Sequence, residues 1–387
     1  MGSSARIIGV GQTACGRFAE ATVASLAIAA LDAALSDAAI GVDRVQAIFF
    51  SNALSGLLTG QECVRGQVAL RSSRYGGIPT VNVENACASG SSALHLACQA
   101  IDSGAYETVA VVGSEKMSDP DRERPIRALS GAADVALLDG TPSDHSVFMD
   151  SYAQRARRRI EEQGWEPADF AKVVVKNRRH AAQNPGAQYR RRLTVEEVLA
   201  SRMITAPLTL PMCSPIGDGA AALVVSVGGR GAPGSVHVRA SALSGAGGSA
   251  AGSVAERAAA AAREQSGVAA ADVDVLEIHD ATASAELEAY EHLRLAPEGE
   301  ANRLLDEGRT ALGGALPVNT SGGLLGRGHP VGATGVLQIA ELVQQLRGHA
   351  GARQVEPTPR LALAHNAGGF VEGDNAVAVI TILERTR

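Results

Sequence analysis

Four short stretches carry the side chains that could do chemistry. In "VNVENACASGSSALHLACQAI", residues 81–101, Cys87 stands just after an apolar β-type run and just before a Ser/Gly/Ala-rich helix. A sulfur there lies at a helix N-terminus, where the dipole and the free N–H groups favour the thiolate, the nucleophilic form of cysteine. Read alone, the segment fits an inert buried cysteine equally well. Cys98, further along the same helix, has no such placement and reads as core. In "GRGHPVGATG", His329 lies between Gly328 and Pro330. Its imidazole can accept a proton from a thiol or donate to a developing oxyanion, and the glycines allow close approach of a substrate. A Gly-rich loop before a helix can also cradle phosphate, but the spacing is not that of a P-loop and no Lys follows. "EIHDATA" sets His279 and Asp280 at one strand end, and "LAHNAGGF" sets His365 and Asn366 at another. Any one of these histidines alone reads as a structural residue. Three of them at strand or loop ends in one half of the chain, with a cysteine in the other half, point to a site.

The elements that must position these residues alternate between strand and helix. "ARIIGVGQTA" is β-branched and ends in Gly, "ATVASLAIAALDAALSDAAI" has the spacing of a buried helix, and "TVAVVGSEKM" reads as a strand buried on both faces. This is an α/β pattern. The C-terminal half replays the first half: "VHVRASALSG" matches the opening strand, "SVAERAAAAAREQSG" the first long helix, and "NTSGGLLGRGHPVGATGVLQIAELVQQLRG" the loop and helix that follow Cys87. Two copies of one βα unit imply two mostly parallel sheets about a pseudo-twofold axis, with their switch-point loops converging on one site. Between them, residues 116–205 are rich in Asp, Arg, Pro and Gln and read as an inserted loop domain. The expected organisation is an N-terminal half of residues 1–115 and 206–230, the loop domain, and a C-terminal half of residues 231–387.

Composition narrows the function. The chain has 387 residues, 45% of them hydrophobic and 20% charged, which suits a soluble globular protein. A formal net charge of −6 gives no basic footprint for nucleic acid. Five cysteines without a CxxC pair suggest neither a disulfide framework nor a zinc site, so no metal is expected. The N-terminus lacks the basic region and apolar core of a signal peptide, and no apolar run reaches about 18 residues. A cytoplasmic location without membrane contact is the expectation.

Taken together the motifs resemble those of the thiolase superfamily, and within it the sterol-carrier-protein-2 (SCP2) type of thiolase and thiolase-like protein. Cys87 in "NACASGSSA" matches the family's nucleophilic cysteine, "GHPVGATG" its GHP motif, "EIHDAT" its HDCF-type motif and "HNAGG" its last catalytic loop, in order along essentially the whole chain. The resemblance implies duplicated βαβαβαββ halves in a five-layered α/β/α/β/α fold, a loop domain that helps to bind acyl groups and coenzyme A, and a homodimer or dimer of dimers. Coenzyme A would be a substrate, with no permanently bound cofactor. By the same resemblance Cys87 would become acylated, with His329 activating it. The Cys87 N–H and an amide of the Ala367–Gly368 turn, beside Asn366, would hold the first oxyanion, while His279 and His329 would stabilise an enolate.

One departure bears on mechanism. The SCP2 type carries a cysteine in its HDCF motif and most thiolases carry one in a C-terminal CxG motif; this chain has Ala281 and His365 at those places. His365 or His279 would then move the proton. The leading expectation is thus an acyl-CoA acyltransferase that cleaves or forms a β-ketoacyl-CoA carbon–carbon bond. Two alternatives accompany it: a thiolase-like retro-aldolase acting on a β-hydroxyacyl-CoA, which would not depend on Cys87, and a non-catalytic acyl-CoA-binding subunit. Proteins of this group often pair with a small OB-fold and zinc-ribbon protein. The stretch "DRERPIRALSGAADVALLDGTPSDHSVF", residues 121–148, contains no motif that translates into an acyl chain length or ring.

Overall fold

A computed structural model describes residues 3–137, 146–228, 234–247 and 251–386. Part of the 121–148 stretch and the boundary drawn between residues 230 and 231 lie outside the described residues. The strands are β1 (Ala5–Gln12), β2 (Ala47–Ser51), β3 (Thr80–Val83), β4 (Thr108–Glu115), β5 (Met203–Thr205), β6 (Leu208–Thr209), β7 (Gly219–Val227), β8 (Val236–Gly245), β9 (Val275–Glu277), β10 (Leu361–Gly368) and β11 (Val377–Arg385). β5 and β6 form a small hairpin, and the other nine run in the order β3-β2-β4-β7-β1-β8-β11-β10-β9.

Strand alternation builds the layers. In β4, Val109 and Val111 point into one apolar cluster and Ala110 and Val112 into another; β7 divides Leu223 and Val225 from Ala222 and Val224 in the same way. Both faces are therefore buried, which is why these strands are continuously apolar. The first cluster is shared by both halves, since Ala362 and Ala364 of β10 enter it from the other side. Two helices fill it: Ser89–Asp102, through Leu94, Ala97, Cys98 and Ile101, and Thr334–Arg347, through Leu337, Ile339 and Val343. The Val23–Asp37 helix covers the outer face of the first half, and the Val254–Ser266 and Ala283–His292 helices cover that of the second. The result is the expected five layers of a thiolase fold.

Two expectations about the sheets need correction. The halves are not separate sheets, because β1 and β8 pair antiparallel through Arg6–His237 and Ile7–Val236 and join all nine strands. Nor is the pairing mostly parallel: among the described strands, β2–β3, β2–β4 and β9–β10 pair parallel and the others antiparallel. The closing strand of each half inserts beside its opening strand in the reverse direction, β7 against β1 and β11 against β8.

The two central helices touch where their side chains vanish. A Cβ on Gly335 would lie 2.4 Å from the Ser91 amide nitrogen and 2.6 Å from Asn366 Oδ1, and one on Gly90 would lie 2.8 Å from the Val336 nitrogen. Ser89, Gly90, Ser91 and Ser92 are small because a second backbone runs against them. Gly335→Ala is accordingly expected to lower stability by about 1–3 kcal/mol through overpacking, read as a shift of the urea midpoint at unchanged slope.

Candidate active site

Each predicted loop arrives at the junction of the two halves. Cys87 lies in a 3-10 turn, Ala86–Ala88, between β3 and the Ser89–Asp102 helix. Local bonds shape that turn: the Ala86 N–H donates to Glu84 Oε1 at 2.6 Å, Ser89 Oγ donates to the Ala86 carbonyl at 2.6 Å, and Asn85 Nδ2 donates to Ser92 Oγ at 2.9 Å. The end of β10 lies against it, for a Cβ on Gly368 would sit 2.3 Å from the Asn85 carbonyl oxygen and 2.6 Å from the Ala88 nitrogen. Glycine is required there by close approach of the backbone.

The Cys87 sulfur and ring nitrogens of His279 and His329 lie within 4.8 Å of one another. The two rings meet edge to face, with centroids 5.3 Å apart. All three residues line a cavity of about 1550 Å³, together with Ala367 and Gly368. Hydrogen bonds fix opposite tautomers. Thr334 Oγ1 donates to the Pro330 carbonyl at 3.0 Å, so it accepts from His329 Nδ1 at 2.7 Å, and the proton on Nδ1 leaves Nε2 as a free base. Asn366 Nδ2 is purely a donor, so at 3.0 Å it makes His279 Nδ1 the acceptor and leaves His279 Nε2–H as a donor. One ring can take a proton and the other can offer one. A Cys–His–His set is also of a kind that can hold zinc with an open position.

Both loops are braced from below. Asp280, fully buried, accepts from the Leu324 and Leu325 amides at 2.7 and 3.3 Å and from Asn177 Nδ2 at 2.8 Å, tying the His279 strand end to the Gly323–Arg327 helix that precedes His329. On the other side Glu115, also fully buried, accepts from the Ala53 amide at 2.9 Å, the Asn52 side chain at 2.8 Å and the Gly332 amide at 2.9 Å. That single carboxylate bridges the N-terminal half to the His329 loop. Nothing in the local sequence around Glu115 marks it; only the long-range approach of residue 332 does.

Electrostatics corrects the expected thiolate. Burial pushes the Cys87 thiol up to about 12, with Glu115 and Glu84 adding to the rise, and a backbone hydrogen bond opposes it only partly. The helix terminus is outweighed by desolvation. Burial, assisted by Arg327, lowers His329 to about 3; His279 falls well below its ordinary value through burial and its neighbours His329, His365 and Arg327. The resting site is a neutral thiol beside two neutral imidazoles. Because a thiol near 12 gains thiolate tenfold per pH unit below that value, iodoacetamide labelling of Cys87 is expected to rise about tenfold per unit from pH 7 to 9 and, at pH 8, to be on the order of 10³-fold slower than that of an unperturbed thiol. Fast labelling with a midpoint near pH 7 would contradict this.

His365 lies near enough to His279 to lower it, but it is not among the residues that line the cavity. Alternate residues of β10 face opposite ways: Ala362 and Ala364 point to the central helices, while Leu361 and Leu363 point outward. His365 shares the outward parity and is lowered to about 3 mainly by burial, with His292 and Arg155 adding to the fall; among the described residues neither of its ring nitrogens has a hydrogen-bond partner. Asn366, on the inward parity, is the one that reaches His279. Beside Ala281 the structure instead places a cysteine from elsewhere: Cys213 pairs with Thr282, the Ser214 amide donates to the Ala281 carbonyl at 2.9 Å, and both Cys213 and Ala281 line the cavity. The Cys213 sulfur is turned toward the Thr209 carbonyl at 3.7 Å, and its thiol is raised to about 12 by burial.

The fold is that of the thiolase family. Residues 5–227 match the family described as "Thiolase, N-terminal domain" and residues 237–384 that described as "Thiolase C-terminal domain-like". The chain belongs to the thiolase family. It is 35% identical over 389 residues to benzoylsuccinyl-CoA thiolase subunit BbsB of Thauera aromatica, covering 95% of this chain and 96% of that one. It is also 35% identical to sterol carrier protein 2 of Oryctolagus cuniculus, covering 87% of this chain and 64% of the relative, in keeping with the SCP2-type resemblance. Among solved structures it is similar in fold to an "Ltp2-ChsH2(DUF35) aldolase", with a TM-score of 0.78, 24% identity and 97% of both chains covered. Among the described residues no helix is long and apolar enough to cross a membrane.

Proposed function

We propose that this chain is a thiolase-type acyltransferase that cleaves or forms the Cα–Cβ bond of a β-ketoacyl-CoA through an acyl-Cys87 intermediate. The observation that supports it best is the meeting of Cys87 with two imidazoles held as opposite tautomers at the cavity. In cleavage, Cys87 Sγ attacks the β-carbonyl as His329 Nε2 takes the thiol proton. Charge separates only as the oxyanion forms, so no buried ion pair burdens the resting site. Collapse breaks the Cα–Cβ bond and leaves an enolate, to whose oxygen His279 Nε2–H donates. His329 returns its proton to the enolate carbon, releasing the acyl-CoA that carries Cα, acetyl-CoA for an unbranched chain. A coenzyme A thiol then attacks the acyl-Cys87; its proton passes through His329 to the departing Cys87 sulfur, the shortened acyl-CoA leaves, and the site is restored.

Serial use of His329 accounts for proton transfer without a second catalytic cysteine, and the outward placement of His365 argues against its taking that part. Cys87 N–H with an amide of the Ala367–Gly368 turn is our assignment for the first oxyanion. We further assign residues 116–205 to acyl and coenzyme A binding; Arg122, Phe148 and Tyr152 from this region line the cavity. Dimerisation is part of the same reading, supported by the open edge of β3, where Val81 is 46% exposed. A partner subunit belongs to it as well, since one relative is named as a subunit and one structural neighbour carries two names.

The test is thiolysis of a β-ketoacyl-CoA, followed at the thioester–enolate absorbance, with Asn366→Asp as the diagnostic variant. An aspartate would accept from His279 Nδ1–H and turn its Nε2 from donor to acceptor. A loss of about 10²-fold in kcat with little change in KM is expected. Cleavage of a β-hydroxyacyl-CoA to an aldehyde, with no thiolysis, would replace this reading by the aldolase one.

A further inference from the structure

Among the described residues five arginines line the cavity, and four of them, Arg17, Arg122, Arg191 and Arg202, are exposed. Arg178 differs: it is only 8% exposed, and its Nε is buried without a partner. Among the described residues its guanidinium has no carboxylate and no hydrogen-bond acceptor; it stacks on the Tyr189 ring, 4.3 Å from the centroid. Arg191 lies close enough to add like charge, and burial and Arg191 together lower the Arg178 guanidinium against the influence of Tyr189. A buried cation without a counter-ion is costly, and the cost disappears when an anionic ligand arrives. The stack orients the planar fork so that it can offer two parallel N–H groups, the geometry that suits a carboxylate or phosphate.

Arg178 and Tyr189 line the same cavity as Cys87, His279 and His329, and the segments that carry them are tied to both histidine loops. Arg178 follows Asn177, which donates to Asp280, the neighbour of His279. Tyr189 donates its amide to the Gly326 carbonyl at 3.0 Å and Gln188 donates to that of Arg327 at 2.9 Å, so the stacking partner is packed on the segment leading to His329. The phosphates of coenzyme A are held a whole pantetheine arm away from the thioester. We propose that Arg178, stacked on Tyr189, recognises an anionic oxygen pair on the substrate, and that this pair is a carboxylate carried by the acyl chain. The substrate class is then an acyl-CoA with a second, free acid group. This rests on the acyl-CoA reading of the cavity given above.

Binding separates the proposal from catalysis. In the Cys87→Ala chain, where no acyl transfer can occur, titration calorimetry compares succinyl-CoA with butyryl-CoA, which differ by a terminal carboxylate in place of a methyl, and with free coenzyme A. Succinyl-CoA is expected to bind at least tenfold more tightly than butyryl-CoA. The preference should collapse to about onefold with Arg178→Gln added and fall to an intermediate value with Tyr189→Leu; circular dichroism and a urea midpoint close to that of the parent report that each variant is folded. No preference in the Cys87→Ala chain, or a preference that survives Arg178→Gln, overturns the proposal. An equal weakening of all three ligands by Arg178→Gln also overturns it, because the anion would then be a coenzyme A phosphate. If none of the three binds the Cys87→Ala chain, the acyl-CoA reading itself falls, an outcome distinct from loss of the carboxylate preference alone.

Discussion

Replacing Cys87 with alanine is expected to lower acyl transfer by on the order of 10⁴-fold or more, with the fold intact. Loss of a nucleophile that acts as part of a unit costs about as much as losing the unit. No other cysteine is placed to substitute. Cys98 is packed in the central cluster, Cys15 is buried, Cys63 is exposed and does not line the cavity, and the Cys213 sulfur is turned to the Thr209 carbonyl. The side chain removed is small and opens onto the cavity, so the cost to stability should be slight. Thiolysis kinetics alongside a urea titration would check both halves of the expectation.

His329→Ala carries the second largest expected effect, a loss of about 10²- to 10⁴-fold in kcat. The reasoning starts from the thiol. With Cys87 pushed up to about 12, almost none of it is thiolate at neutral pH, and a base must remove the proton as attack occurs. Of the two histidines beside the sulfur, only His329 presents a bare nitrogen, because Thr334 holds its other one protonated. His329 lies near 3 and stays neutral well below pH 7, so acylation by the parent should not fall off between pH 8 and 5 through protonation of this base. In His329→Ala the remaining rate should climb about tenfold per pH unit, because hydroxide must make the thiolate instead. Single-turnover acylation measured from pH 5 to 9 would separate the two profiles.

How much of this could be read from the chain alone follows from the physics of each residue. Cys87, His279 and His329 announced themselves because each sits at a strand end or Gly-rich loop beside a periodic element, and the internal repeat said that such loops converge. The layers were legible for the same reason: alternating and continuous apolar runs state which faces are buried. What stayed hidden depended on parity and on long-range approach. Adjacent strand residues point to opposite faces, so His365 and Asn366 could not both turn toward His279, and the sequence did not say which one would. The structure gives that place to Asn366. The ionisation of Cys87 escapes a local reading because a helix terminus is a local feature, whereas the burial and the Glu115 charge that outweigh it come from distant segments. Glu115, Arg178 and Cys213 reach the site from outside the conspicuous motifs. The union of the two sheets rests on just two paired positions, Arg6–His237 and Ile7–Val236.

Covalent acylation of Cys87 is the step on which the rest depends. Incubation with a panel of acyl-CoA and β-ketoacyl-CoA thioesters, acid quench and peptide mass spectrometry should show the Cys87 peptide heavier by the acyl group. That adduct should be absent from the Cys87→Ala chain and should discharge on addition of coenzyme A. An unmodified Cys87 peptide with every thioester, together with a Cys87→Ala chain as active as the parent, would contradict the account.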